Sequence, residues 1–292
     1  MTRGRGIVLA AAAWLAGTVA GFAQERVAFR SLDGETELAA YLARPPGDEP
    51  RPGVVLLHGC SGLVDGGGRL FPIYHAWMRT LVAAGYAALA VDSAGSRGFG
   101  QTCTAGPERR TMLRDRPKDA YAALQHLQAQ PFVRADRIAA AGWSQGGATV
   151  LLTINEKSIG RPPEIRQDFA AAVAFYPGAC SDRFQSAPYT QVEPGRWITR
   201  VPLLVLFGEA DVWTPYPPCR DFVADAKARG NPLELVSYPG AVHGFDAPNA
   251  DRRELPAYRS GDGPVPVVGT DDAARADALL RVLAFLRGHL AR

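Results

Sequence analysis

The sequence predicts an α/β fold: a mostly parallel central sheet with helices on both faces, built as one domain. Three observations lead there. Short runs rich in Val, Leu, Ile and Ala recur along the chain and alternate with longer amphipathic patterns of helical period. Most of these runs are apolar at nearly every position, as strands buried on both faces should be. The 292 residues, 47% hydrophobic and 21% charged, suffice for one sizeable core and match neither a disordered nor a fibrous composition.

Along the chain, the first strong strand is Gly53-Val54-Val55-Leu56-Leu57, followed by a helical pattern over residues 73–84. Ala87-Ala88-Leu89-Ala90-Val91 is the next strand, with a helix over 119–130 after it, and Arg137-Ile138-Ala139-Ala140-Ala141 leads into a helix over 145–154. Strands over 171–176 and 202–207 precede a helix over 221–229, a strand over 233–238 and a closing helix over 271–289. Helices between most successive strands are what parallel neighbours need, because a long crossover must return the chain to the same end of the sheet. Residues 93–116, 180–200 and 246–270 are long, polar and rich in Gly or Pro, and read as surface excursions of the kind that carry specificity. There is no repeat, low-complexity block or heptad run.

Residues 1–23 form a distinct segment, with Arg3 and Arg5, then an uncharged apolar stretch, then Gly21-Phe22-Ala23. This reads as a secretory signal cleaved after Ala23, leaving 24–292 as the mature domain and an exported, periplasmic or secreted, product. An uncleaved membrane anchor is the alternative, but the strongly apolar part is only about half the roughly 20 residues a span needs. No Cys follows the stretch closely and Arg3-Gly4-Arg5 is not a twin-arginine pair, which argues against a lipid anchor and that export route. The formal charge of +3 includes those two arginines, so the mature chain is nearly neutral, which disfavours nucleic acid or an anionic membrane as partner. Nothing sets an oligomeric state, and a monomer is the expectation.

Export gives the four cysteines, Cys60, Cys103, Cys180 and Cys219, an oxidising environment. Two disulfides are expected; three pairings are possible and the spacing does not choose among them. Their contexts lack the paired short spacing of a zinc site, so no metal is expected.

The chemistry is carried by Gly142-Trp143-Ser144-Gln145-Gly146, which follows a strand and opens a helix. That is the setting of a G-x-S-x-G nucleophile elbow, where a strained turn lifts the serine hydroxyl above the sheet and the glycines let strand and helix approach. An ordinary Gly-rich turn is the bland alternative. A serine hydroxyl needs a base and a group to orient that base. Of five histidines, His75, His126 and His289 fall within helices and His58 ends a strand before the elbow. His243, in Gly240-Ala241-Val242-His243-Gly244-Phe245 just after the last strand, is the candidate base. Asp211 follows the strand over 202–207 and is the candidate orienting acid, with Glu209 its competitor and Asp246 a local loop anchor. Serine, aspartate and histidine in that order along the chain is the order of the α/β-hydrolase architecture.

An oxyanion hole takes one N–H from the residue after the nucleophile and one from the loop after an earlier strand, here Gln145 and Cys60. A reactive thiol at Cys60 is the sharper but weaker alternative. Trp143, Tyr176, Trp213 and Phe245 flank these positions and are expected to wall an apolar substrate pocket, against simple packing beneath loops. The reaction expected is acyl transfer on a small ester or lactone. A serine peptidase of the same fold is a second reading, although no dedicated charged pocket is visible, and a non-catalytic binding protein on this scaffold is a third. A nucleotide enzyme fits poorly, since there is no Walker A pattern.

These residues resemble the dienelactone hydrolase family of α/β-hydrolases, and more closely its exported, serine-containing relatives. The likeness runs from about Val27 to Leu290 through Leu57-His58-Gly59-Cys60, Asp92-Ser93 with Arg97-Gly98, the elbow, Phe175-Tyr176-Pro177-Gly178, Asp211 with Thr214-Pro215, and His243-Gly244-Phe245-Asp246. The resemblance implies a single-domain ester or lactone hydrolase with Ser144, Asp211 and His243 as its triad and no cofactor. It also implies the pairing of Cys60 with Cys103 and Cys180 with Cys219. Two departures set dienelactone itself apart as a substrate: the namesake enzymes have a cysteine where Ser144 stands and a glutamate near the place of Gly59.

Overall fold

A computed structural model of the protein describes residues 23–104 and 106–291. The expected export signal, residues 1–23, lies outside the described residues except for Ala23. One eight-stranded sheet organises the chain. Its strands are β1 (Glu25–Arg30), β2 (Glu37–Ala43), β3 (Arg51–Leu57), β4 (Ala87–Asp92), β5 (Val133–Trp143), β6 (Ala171–Phe175), β7 (Leu203–Gly208) and β8 (Leu233–Tyr238), in spatial order β1-β2-β4-β3-β5-β6-β7-β8. From β4 to β8 all neighbours are parallel, whereas β1 and β2 pair antiparallel with each other and β2 joins β4 antiparallel.

The inner parallel strands carry apolar runs because both of their faces are covered, whereas the edge strand β8 is only part-buried along its middle. Val54, Val55, Leu56 and Leu57 point alternately to opposite faces of β3, yet each is 0% exposed. The covering helices are α1 (Pro72–Ala83), α2 (Pro107–Gln128), α3 (Gln145–Ile154), α4 (Tyr216–Ala228) and α5 (Asp272–Leu290). α2 packs on β3, β4, β5 and α3, while α5 packs on β5, β6 and β7. No helix among the described residues is long and apolar enough to cross a membrane.

Three segments depart from the sequence reading. β1 and β2 go unpredicted because they are incompletely covered: alternate residues are exposed in β1 and exposed or half-buried over most of β2, so neither forms a continuous apolar run. The expected excursion over 93–116 becomes helical from Pro107, since α2 continues through Pro117 and a charged stretch that read as a break. α4 starts five residues early, at Tyr216, because Pro217 and Pro218 occupy a first turn whose N–H groups have no helical partner to lose. Within the last excursion, β9 (Arg253–Glu254) and β10 (Val267–Val268) form a two-residue ladder, and Val268 bridges to His243.

The order of the sheet reverses around β3, whose neighbours are β4 on one side and β5 on the other. In open α/β sheets the crevice beyond the strand ends at such a reversal is where ligands bind. The loop after β3 and the turn after β5 both open there.

Candidate active site

Ser144 occupies the single-residue turn between β5 and α3 with φ 54° and ψ −113°, a conformation that costs a non-glycine residue about 1–3 kcal/mol. The turn is held from both sides. The Ser144 N–H donates to the Phe175 carbonyl at 3.0 Å, and the Ser144 carbonyl accepts from Gly178 at 2.9 Å. A side chain at Gly142 would run into the carbonyl of Gly146, and one at Gly146 into the carbonyls of Leu57 and His58, so only glycine fits at either place. Gln145 opens α3, and its N–H is among the four that a helix leaves without an intrahelical partner.

Asp211 and His243 meet directly: the His243 Nδ1 lies 2.7 Å from Asp211 Oδ2. Asp211 is itself fixed, its Oδ1 accepting from the N–H groups of Trp213 at 2.9 Å and Thr214 at 3.0 Å, and its Oδ2 from the Thr214 hydroxyl at 2.7 Å. A carboxylate at Nδ1 places the ring proton there and leaves Nε2 as the basic nitrogen. The imidazole is held between the rings of Tyr176 at 4.5 Å and Trp213 at 4.9 Å. Glu209, the competing acid, instead accepts from Ser237 on the exposed edge of β8.

Ser144 opens into a cavity of about 40 Å³ that Cys60, Gln145, Trp213 and Thr214 also line. Thr214 links this cavity to the buried pair, since its hydroxyl stands 3.2 Å from His243 Nδ1. The remaining wall includes Cys103, Arg109, Leu113 and Ala148. The disulfides join Cys60 to Cys103 and Cys180 to Cys219. The first lies in the cavity wall, and the Thr102 N–H ties the same loops together by donating to the Cys60 carbonyl at 2.8 Å. Among the described residues no group of three or more His, Cys, Asp or Glu is placed to hold a metal ion.

Three of the four expected pocket aromatics are elsewhere. Trp143, Tyr176 and Phe245 are 2%, 2% and 0% exposed and line no part of the cavity; only Trp213 does. Trp143 precedes Ser144 and Phe245 follows His243 by two residues, yet both rings turn into the core, whereas the Tyr176 ring packs on the His243 imidazole rather than on the cavity. Trp143 stacks on Phe175 with centroids 5.2 Å apart, and Phe245 packs edge-on against Tyr176 at 5.5 Å.

This aromatic layer closes on a residue that sequence reasoning misplaced. Asp246 is no local loop anchor but a buried hub. It accepts from Trp77 Nε1 at 2.7 Å, Trp143 Nε1 at 2.8 Å and the Tyr176 hydroxyl at 2.7 Å. Burial pushes its carboxyl above the usual range, and these three donors pull it back only in part. Its partners lie 70 to 169 residues away in the chain, so no local pattern announces it. His58 is likewise buried. Its Nδ1 lies 2.6 Å from the Gly59 carbonyl and its Nε2 accepts from the Ala94 N–H at 3.3 Å, an arrangement that requires the neutral ring. Burial, and next the nearby Arg116, hold its pKa well below the ordinary 6.5.

The sequence profile of the dienelactone hydrolase family matches residues 38–290. The chain is 28% identical over 244 residues to the acylamino-acid-releasing enzyme of Homo sapiens, covering 75% of this chain and 32% of that protein. It thus spans about a third of the length of that relative. Among solved structures, a dienelactone hydrolase-like promiscuous phosphotriesterase from metagenomic libraries aligns with a TM-score of 0.66 at 23% identity, over 92% of this chain and 98% of the other. Thermogutta terrifontis esterase 2 aligns with a TM-score of 0.63 at 21% identity, over 92% and 96%. At these identities the structural likeness speaks for the fold, an α/β-hydrolase fold, while the profile match over most of the chain speaks for descent: the chain belongs to the dienelactone hydrolase family.

Proposed function

We propose that the protein is an exported serine hydrolase that cleaves short-chain carboxylic esters or lactones through an acyl-enzyme. The observation that carries this reading is the strained Ser144 opening into a cavity whose wall touches the buried Asp211–His243 pair. His243 Nε2 takes the proton of Ser144 as its Oγ attacks the carbonyl carbon, and Asp211 stabilises the imidazolium. The N–H groups of Cys60 and Gln145 receive the oxyanion, and the imidazolium returns the proton to the departing alkoxide. Water then repeats the sequence on the acyl-enzyme, releasing the acid and restoring Ser144. General-base assistance of this kind contributes about 10² to 10⁴ in rate, and each oxyanion donor about 10² to 10³.

A cavity of about 40 Å³ favours a small acyl group. Acetyl and propionyl esters should therefore be turned over with higher kcat/KM than octanoyl esters. The test is hydrolysis of a short-chain nitrophenyl ester by the mature protein and by Ser144→Ala. The variant should lose activity by at least about 10³-fold; equal rates would sink the proposal and leave a binding protein on a hydrolase scaffold. Export follows from the reading of residues 1–23 and fits the two disulfides. N-terminal sequencing of the product recovered from the producing cell's exterior or periplasm should begin at Gln24.

A further inference from the structure

Arg116, on α2, is 0% exposed. Its Nη2 donates to the His58 carbonyl at 2.7 Å and its Nη1 to Gln145 Oε1 at 3.3 Å, while its Nε finds no partner. Among the described residues no carboxylate stands within ion-pair distance. Asp119 and Asp92 act on it from farther away, and Asp119 is itself engaged by Arg97 at 2.7 Å. Burial lowers its pKa from 12.5 to about 10, which leaves it charged at neutral pH.

An interior cation with no carboxylate in direct contact is costly to a fold, so what it holds matters. It holds the two segments that carry the oxyanion donors assigned above: His58 is two residues before Cys60, and Gln145 is the other donor residue. Thr102 closes the same network, its hydroxyl 3.0 Å from Gln145 Oε1 and its N–H 2.8 Å from the Cys60 carbonyl. Away from bulk water, a fixed positive charge close to a nascent negative one acts with little screening.

We propose that Arg116 is a positioning residue of the oxyanion hole, pinning the Cys60 and Gln145 segments in register and lending its buried positive charge to the oxyanion between them. The inference rests on the serine-hydrolase reading. Arg116→Met keeps length and removes charge and hydrogen bonds; it should lower kcat by about 10²-fold, the scale of one lost oxyanion donor, with KM within about twofold. Arg116→Lys restores the charge and should recover kcat to within about tenfold of wild type. Affinity for a trifluoromethyl ketone analogue should fall in step with kcat across the series. Gln145→Glu keeps the backbone donor and sets a carboxylate against the guanidinium; it should fold with a Tm close to wild type and still lose kcat, and it carries the test alone if Arg116→Met does not fold. Wild-type kcat in folded Arg116→Met or Gln145→Glu would overturn the proposal, as would Arg116→Lys no better than Arg116→Met. Because Ser144→Ala is measured alongside, an active Ser144→Ala marks failure of the hydrolase reading, and an inactive Ser144→Ala beside fully active charge variants marks failure of this inference alone.

Discussion

Asp246 shows how much a single buried carboxylate can organise. Two indoles and a phenol donate to it, and one of those rings, Tyr176, packs against the His243 imidazole. Removing the carboxylate orphans three buried donors, each costing about 1–3 kcal/mol. Asp246→Ala should therefore lose at least about 3 kcal/mol in denaturant unfolding. Asp246→Asn should lose clearly less, because the amide oxygen can serve both indoles while its NH₂ donates to the phenolic oxygen. His58 adds a pH dependence of definite sign. Unfolded, it takes a proton below about pH 6.5, and folded it does not, so its stability contribution is complete above that pH and shrinks as pH falls. The loss approaches about 1.4 kcal/mol per pH unit. His58→Gln should show a shallower decline between about pH 6.5 and 5, measured by unfolding at fixed denaturant. The turn position of Ser144 and the meeting of Asp211 with His243 were legible in sequence because each residue directly follows a strong strand or sits in a loop just past one. Asp246, Arg116 and His58 were not, because their partners, Gly59 beside His58 apart, are distant in the chain and only packing brings them together.

At the scale of elements, the disulfides and the elbow divide the work. By chain entropy, loops of 43 and 39 residues predict nearly equal stabilisation, about 4 kcal/mol for each bridge. Their functional effects should differ: only Cys60–Cys103 lies in the cavity wall. Cys60→Ser/Cys103→Ser should change kcat and the acyl-length preference, whereas Cys180→Ser/Cys219→Ser should lower Tm by a similar amount with kcat nearly intact. At the elbow, Gly146→Ala presses a methyl group onto the carbonyls of Leu57 and His58. It should separate α3 from the loop after β3 and abolish ester hydrolysis in whatever fraction remains folded by circular dichroism. The inner parallel strands were readable because both-face burial writes itself as continuous apolar sequence, and α3 because the elbow marks its start. β1 and β2 escaped because one exposed face interrupts that signal, and the start of α2 escaped because a proline and clustered charge resemble a loop until tertiary contacts hold them helical.

Across the whole molecule, topology gathers what the chain scatters. The reversal of strand order around β3 puts the loop bearing Cys60 beside the turn bearing Ser144, and the ends of β7 and β8 deliver Asp211 and His243 to the same edge. On the proposed function, this gathering activates one hydroxyl. Treating the mature protein with an alkyl fluorophosphonate, then mapping the adduct by mass spectrometry, tests it most directly. One phosphonyl group per molecule is expected, on Ser144, formed in step with loss of ester hydrolysis and slowed by orders of magnitude in His243→Ala. Inactivation with Ser144 unmodified, or labelling of Ser144 at the same rate without the imidazole, would contradict it.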